Sequence, residues 1–513
     1  VYQPGVETVV SGLSSPALKV VHVGLHKTRV SELLAAFGDE RRWFVPNNSI
    51  QNLSEAILQR VLFHKEGELF VPPAPPQPNA VAELLKFREL VLALASPTSV
   101  SSYESCVEKY TGCKRLRYQR AMESLEKYPL KESDAHVDAF VKLEKIKPGG
   151  VPRVVSPRRP RYNLELMRTL KEQEHKMFRA VDQVFGEPTI LKSYNAKERA
   201  DIIAEKWSKY KDPVAIGYDA IRFDQHVSKE MLQYEHEFYI QNAVKHRRSF
   251  LRKILSWQLN NKVYAKALDG TAHYITMGGR MSGDMNTSLG NCLISCAMAF
   301  TYFDKRGLRA SLCNDGDDCL MIMEWSTYKK MISGGEQLSD FMGRMGFLVE
   351  IEKPVRELER AVFCQTQVCQ INGKPLAVRD PKRVLTRDSH CVRPRHSSVG
   401  RRRWFRGVGE AGLATYGAVP VLGAYYDAMV RNAGKVKAAP LRDDEGMFYL
   451  SCRMHEKRLK PDVEARIGFW VAFGACPASQ LLMEDYFDKL EVGFDTDESG
   501  IVFFAPTLNL VST

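Results

Sequence analysis

The chain has 513 residues, 44% of them hydrophobic, which is enough for a sizeable core in several subdomains and argues against wholesale disorder. Its formal net charge is +12 at pH 7 with a pI near 9.0, a balance that favours a polyanionic partner but fits an RNA-coating or membrane-surface protein as well as an enzyme. Eleven cysteines without paired Cys-x-x-Cys spacing read as reduced, cytosolic thiols and argue against a structural zinc site. No apolar run reaches the roughly 20 residues needed to span a bilayer, and no secretory signal is visible.

Residues 1–71 mix short apolar runs with one predicted helix, Ser54 to Phe63. Pro72-Pro73-Ala74-Pro75-Pro76-Gln77-Pro78 follows as a stiff, extended connector, and Ala80 to Ala95 reads as an amphipathic helix. Between Lys142 and Arg161, seven basic residues (Lys142, Lys145, Lys147, Arg153, Arg158, Arg159, Arg161) stand against Glu144 alone. Pro and Gly interrupt any helix there, so these cations are expected on extended segments and loops. Loop-borne Arg and Lys suit a triphosphate, with Arg offering a bidentate fork; a solvated basic surface is the plainer reading.

Val214 to Tyr218, just after Pro213, predicts a buried strand with Asp219 at its C-terminal end and Asp224 a turn later, entering a helix. Asp224 also suits a helix N-cap. Ile221 to Asn242 reads as mainly helical, and the stretch from Val244 to His273 breaks the pattern on either side. Gly278-Gly279-Arg280-Met281-Ser282-Gly283 is a glycine-rich loop running into a helix that continues to Phe300. Ser282 and Gly283 sit at the junction, and Thr287 and Asn291 share one helix face. This polar stripe on an apolar helix suits a surface that touches sugar and base, or equally a capped helix at a bundle edge.

Asn314-Asp315-Gly316-Asp317-Asp318 joins the apolar runs Ala310–Cys313 and Cys319–Met323, the pattern of a β-hairpin. Adjacent carboxylates at a sheet tip are costly unless a cation neutralises them, and oxygen-only ligands point to a hard ion such as Mg²⁺. The plain alternative is an ordinary acidic turn. Asp219, Asp317 and Asp318 together would suit two such ions about 4 Å apart, the arrangement used for in-line phosphoryl transfer. A strand, helices and a hairpin in this order predict an antiparallel sheet with helices on one face. Further on, Glu352-Lys353-Pro354 offers a lysine that reads more readily as surface than as a general acid. Ala361 to Gln365 reads as a hairpin or buried edge strand. From Gly373 the pattern turns helical. Between Lys382 and Arg406 nine basic residues face only Asp388; Arg401, Arg402, Arg403, Trp404 and Phe405 suit contact with backbone phosphates and stacking on bases, but such a run reads more often as a solvated face or a targeting patch. Gly407 to Tyr426, rich in Gly and Ala, predicts close helix packing.

The three blocks Asp219–Ser228, Arg280–Asn291 and Asn314–Asp318 resemble motifs A, B and C of viral RNA-dependent RNA polymerases, and their wording resembles plant positive-strand viruses of the tombusvirus, carmovirus and umbravirus type. The likeness extends more weakly from about Phe140 to about Pro420. It implies an α+β right-hand polymerase with fingers, palm and thumb and an antiparallel palm sheet flanked by helices. The N-terminal extension and fingers would occupy residues 1–210, the motif A part of the palm 211–243, a fingers insertion 244–274, the palm with motifs B to E 275–372, and the thumb 373–513. Asp219 and Asp317 would be the principal metal ligands with Asp318 as a helper, for two Mg²⁺ ions or, alternatively, Mn²⁺. Asp224 and Asn291 would sense the ribose 2′-hydroxyl with Thr287 in support, and Ser282 and Gly283 would form a mobile loop near template and nucleotide. A site built to bond a hydroxyl penalises a deoxy analogue. The first basic block resembles motif F, with Lys142, Arg153, Arg158 and Arg161 as triphosphate contacts, and Phe363 falls in a motif E hairpin gripping the primer strand. Asp315 has no assigned role.

The expected activity is RNA-templated RNA synthesis from NTPs, for viral genome replication and transcription. A non-catalytic basic RNA-binding scaffold would leave Asp219, Asp317 and Asp318 idle, and a reverse transcriptase would carry an aromatic sugar gate. Expected partners are template RNA, nascent RNA, NTPs and the shorter viral replication protein. The chain begins with Val rather than Met and is expected to be a fragment or processed product. In the resembled family the polymerase extends a shorter replication protein whose upstream part usually anchors it. The expected location is therefore the host cytoplasm, at membrane-associated replication complexes, with membrane contact only through an upstream segment.

Overall fold

The computed structural model describes residues 2–25, 27–34, 43–441 and 451–494. At its centre lies a four-stranded antiparallel sheet in the order Ala310–Asp315, Asp318–Glu324, Pro213–Ala220, Val349–Ile351. Pro213 opens its strand, where a missing N–H costs no ladder bond.

Strand alternation divides the interior into two cores. Val214, Ile216 and Tyr218 join one with the helices Pro160–Phe185, Lys229–Asn242 and Thr287–Arg306. Ala215, Leu320 and Ile322 join the other with the helices Ala196–Ser208, Ser398–Tyr416 and Leu422–Ala433. Helices therefore cover both faces, where the order of the blocks predicted one. The strands are apolar on consecutive residues rather than alternate ones, and such runs are buried on both sides.

A second, five-stranded sheet has the order Lys19–His22, Gly270–Met277, Asn260–Lys266, Val137–Val141, Val154–Val155. The stretch 244–273 that broke the pattern supplies the helix Lys245–Ser256 and most of a hairpin in this sheet. The expected Ser54–Phe63 helix is instead Ile50–Ile57, capped by the Ser49 side chain and continued by a π-helical turn, Leu58–Leu62. Ala80–Leu84 is a 3₁₀ turn leading into the helix Leu85–Leu94. The first basic block is extended only up to Arg159, because Pro160 starts a helix at the position where its missing N–H is harmless.

The boundary expected between 372 and 373 falls inside a hairpin, Thr366–Ile371 with Lys374–Arg379, so strands continue past it. Beyond lie the helices Pro381–Arg387, Ser398–Tyr416, Leu422–Ala433, Val463–Phe473 and Pro477–Lys489. Gly412 lets two of them close up, since a Cβ there would collide with the Tyr426 ring. Residues 442–450 and 495–513 of the expected thumb lie outside the described residues. Among the described residues no helix is long and apolar enough to cross a membrane, and all eleven cysteines are free.

Candidate active site

The hairpin turns on Gly316 and Asp317. Gly316 has φ +90°, a conformation that side chains with a Cβ rarely adopt. Asn314 braces the turn from inside: its Nδ2 donates to the Gly316 carbonyl at 2.8 Å and its Oδ1 accepts from the Gly316 N–H at 3.1 Å. Strand register sets Asp318 directly opposite Asp219, so both side chains leave the same face of the sheet, with Asp317 exposed at the tip. Burial, then Asp317 and Asp219, push the Asp318 carboxyl up to about 7. Burial, then Asp317 and Glu350, raise Asp219. Mutual repulsion of this kind is what a divalent cation relieves, and the donors are hard oxygens, so the set fits Mg²⁺ or Mn²⁺. Among the described residues no three His, Cys, Asp or Glu side chains already stand in ion-holding geometry. A cation would have to draw these carboxylates together.

Asp315, without a role from sequence, is tied down on three sides. Lys192 Nζ donates to its Oδ1 at 2.9 Å, Arg199 pairs with its Oδ2, and the Cys364 thiol lies 3.6 Å from the same oxygen. Burial opposes ionisation there, but Lys192 and Arg199 outweigh it and hold the carboxyl below its usual range.

Asp224 lies inside the one-turn helix Phe223–His226 rather than capping it; Arg222 precedes that helix at φ +50°. Asn291 Nδ2 donates to Asp224 Oδ1 at 3.0 Å, which joins two residues far apart in sequence. Burial raises the Asp224 carboxyl, and the Asn291 bond and Arg280 work against that. Thr287 shares the helix but bonds elsewhere: its hydroxyl donates to the Met281 carbonyl at 3.0 Å and so supports the loop. Ser282 and Gly283 are stitched to the first basic block. Ser282 Oγ accepts from Ser156 N–H at 3.1 Å and donates to the Val154 carbonyl at 3.2 Å, and a Cβ on Gly283 would collide with Pro157.

A cavity of about 700 Å³ opens between these parts and is lined by Asp317, Asp224, Ser282, Lys142 and Arg153. Glu144 fixes both cations, pairing with Arg153 and lying 3.1 Å from Lys142 Nζ. Sequence reasoning missed Arg60 and Arg222, which line the same cavity. Burial, then the nearby Arg222 and Arg153, pull Arg60 down to about 10, the signature of crowded cations. Arg222 stands between Asp219 and Asp224, and that position was the available signal. Arg60 lies on an ordinary amphipathic segment and gave none.

Five expected contacts are corrected by burial or by the partners these side chains already hold. Arg158 is enclosed, with Nε 2.5 Å from Asp284 Oδ1 and further bonds to Asn261 and the Ala135 carbonyl. Arg161 donates to Asp134, Ser124 and the carbonyls of Tyr128 and Pro129. Neither reaches the cavity, because each satisfies a carboxylate and nearby backbone instead. Arg401 is buried against Glu32, and Trp404 and Phe363 are buried at 1% and 2% exposure, so none of the three faces a nucleic acid; Phe405 beside Trp404 is buried too. The helix Ser398–Tyr416 turns Arg401, Trp404, Phe405 and Val408 inward at helical spacing. Arg402, over the Phe494 ring, and Arg403, donating to the Lys437 carbonyl at 3.1 Å, stay at least partly exposed. Lys353 is exposed after the Val349–Ile351 strand.

Paired acids beside a cavity lined with cations mark a candidate nucleotidyl-transfer site. Residues 19–495 match the family of viral RNA dependent RNA polymerases, and the chain belongs to that family. The RNA-directed RNA polymerase of Tobacco necrosis virus (strain A) is 37% identical over 500 residues, covering 96% of this chain and 68% of that protein. That of Maize chlorotic mottle virus is 37% identical over 489 residues, covering 94% and 50%. That of Turnip crinkle virus is 35% identical over 508 residues, covering 97% and 64%. The chain thus spans about half to two thirds of the length of these curated relatives.

Proposed function

We propose that this chain synthesises RNA on an RNA template, adding nucleotides from NTPs to an RNA 3′-hydroxyl. The observation that carries this reading is the single cavity onto which Asp317, Asp224, Ser282, Lys142, Arg153, Arg60 and Arg222 all open. Asp219, Asp317 and Asp318 would hold two Mg²⁺ ions, or Mn²⁺. When bound, the metal lowers the pKa of the attacking hydroxyl and neutralises the departing pyrophosphate. Lys142, Arg153, Arg60 and Arg222 receive the triphosphate. Asp224 and Asn291 meet the ribose 2′-hydroxyl, and Ser282 and Gly283 couple the loop to the basic segment beside the nucleotide.

In this reading the four-stranded sheet is the palm, with residues 211–243 and 275–372. Residues 1–210 and 244–274 form the N-terminal extension and fingers, and 373–513 the thumb, with the hairpin across 372 and 373 shared between palm and thumb. Template and product RNA are the macromolecular partners. The shorter viral replication protein and membrane-associated replication complexes in the host cytoplasm are the proposed setting. A basic scaffold would not need the mutually repelling carboxylates Asp219, Asp317 and Asp318 gathered beside a cationic cavity.

The test is incorporation on an RNA template with NTPs or dNTPs, with and without Mg²⁺. Incorporation should require NTPs, template and metal. Asp317→Asn should abolish it while RNA affinity stays within about twofold, since one exposed acid contributes little to backbone-phosphate binding. Persistent synthesis by that variant removes Asp317 from the chemistry. Metal-dependent synthesis from dNTPs as good as from NTPs would point to a reverse transcriptase.

A further inference from the structure

Asn291 could meet Asp224 with either end of its amide, and only the NH₂ end is attractive to a carboxylate. The choice is made on the far side. Arg280 Nε donates to Asn291 Oδ1 at 3.0 Å, and a guanidinium has no acceptor to offer a flipped amide. Arg280 is itself held by the Glu235 carboxylate, Nη1 to Oε1 at 3.2 Å and Nη2 to Oε2, with both side chains fully buried. Glu235 is fixed in turn by Tyr239 at 2.6 Å and Asn286 at 2.7 Å. Gly290, beside Asn291, is the space the ion pair occupies: a Cβ there would collide with Glu235 and Arg280. The Arg280 backbone N–H also donates to the Asp224 carbonyl at 2.7 Å, so one residue touches both members of the pair.

A buried ion pair is weak as a source of stability, because apolar residues of similar volume often serve as well. Here its third donor is spent on one particular amide. We propose that Arg280, clamped by Glu235, is the positioning residue for sugar selection: it fixes the Asn291 amide so that the NH₂ faces Asp224 and the pair presents one hydrogen-bonding pattern to the ribose 2′-hydroxyl. The proposal rests on the reading of Asp224 and Asn291 as the sugar sensor. Without Arg280 the amide can invert, its carbonyl then repels Asp224, and the two groups no longer act together on the hydroxyl. The nucleotide is still bound through its triphosphate, so the sugar preference suffers more than turnover.

The test compares kcat/KM for a matched NTP and its dNTP on one RNA template. Arg280→Lys keeps a charge for Glu235 but lacks the fork needed to reach Asn291 as well. It should lower the NTP/dNTP ratio ~10-fold, the order of one lost hydrogen bond to a charged group, with kcat for the NTP changed less. Arg158→Lys alters an equally buried pair that does not touch Asn291, and should leave the ratio at the wild-type value. Should Arg280→Lys not fold, Glu235→Gln combined with Arg280→Met removes both charges and should show the same loss. An unchanged ratio in a folded variant overturns the proposal, as does failure of both variants to fold, which would make Arg280 a determinant of the fold alone. Asn291→Ala separates the two levels. If it keeps the wild-type ratio, the sugar-sensor reading itself fails, and the positioning role with it.

Discussion

At the scale of single residues, the acidic trio shows how much a sequence reading depends on register. The sequence marks Asp219 as a strand-end acid and Asp318 as a hairpin acid, and pairing places them face to face. The consequence is measurable through pH. Burial, then Asp317 and Asp219, push the Asp318 carboxyl up to about 7 from the ordinary 3.8. Between those values the folded state binds more protons than the unfolded state, so this group's contribution to stability is present below about pH 4 and lost as pH rises through about 7. A divalent ion requires the ionised carboxylate, so its binding releases that proton. The thermal upshift on adding Mg²⁺ should therefore be small at about pH 5.5 and grow by about pH 8. Asp318→Asn should flatten both trends, and an Mg²⁺ upshift independent of pH would contradict the assignment. The basic residues were harder to read, for a plain reason. A positive charge in a sequence does not say whether it meets solvent, phosphate or a distant carboxylate. Arg158 and Arg153 stand five positions apart in one cationic block, yet Arg158 closes on Asp284 inside the protein while Arg153 lines the cavity.

At the scale of elements, the catalytic hairpin is braced from behind. Asp315 joins it to Lys192 and to Arg199 of the helix Ala196–Ser208. Its Oδ2 also lies beside Cys364, in a turn where Cys364 and Gln365 take φ +50° and +61°. Such conformations persist in residues with side chains only where the surroundings impose them. Asp315→Ala would leave two partly buried cations without their shared carboxylate. It should cost about 3 kcal/mol, the lower end for breaking a buried pair, and reduce kcat more than it raises KM, because the hairpin carrying Asp317 loses its support. Thermal unfolding and steady-state incorporation read the two effects, and a stable variant with normal kcat would argue against the brace. Long elements with one dominant pattern were legible: the strand Pro213–Ala220, the hairpin and the helix Thr287–Arg306 all lie close to where periodicity and turn residues placed them. The second layer of helices was not, because a strand apolar on successive residues does not announce how many neighbours cover it. The role of Asp315 was equally hidden, since Lys192 and Arg199 are remote in sequence.

At the scale of the whole molecule, the N-terminal residues are structural members rather than an appendage. Lys19–His22 adds an edge strand to Gly270–Met277, while Tyr2–Pro4 and Val30–Leu33 pair through to His390–Cys391. Trp43 Nε1 donates to Thr386 at 3.1 Å, and Arg401 reaches back to Glu32 and to the Tyr2 hydroxyl. The first residues thereby connect the five-stranded sheet to the helical region that follows the central sheet. This connection makes the structural role of Arg401 testable against the RNA contact that its sequence suggests. As an RNA contact, its loss would weaken binding and reduce the salt dependence of affinity by about one phosphate. As the buried partner of Glu32, its loss is a matter of stability alone. Glu32→Ala strands the guanidinium in the interior and should destabilise the chain by about 3–5 kcal/mol, whereas Glu32→Leu with Arg401→Met, which removes both charges, should recover most of that. RNA affinity and its salt slope, measured on the folded double variant, should match the parent chain. A weaker, less salt-dependent complex in that variant would return Arg401 to the RNA-binding surface and detach the N-terminal residues from the role argued for them.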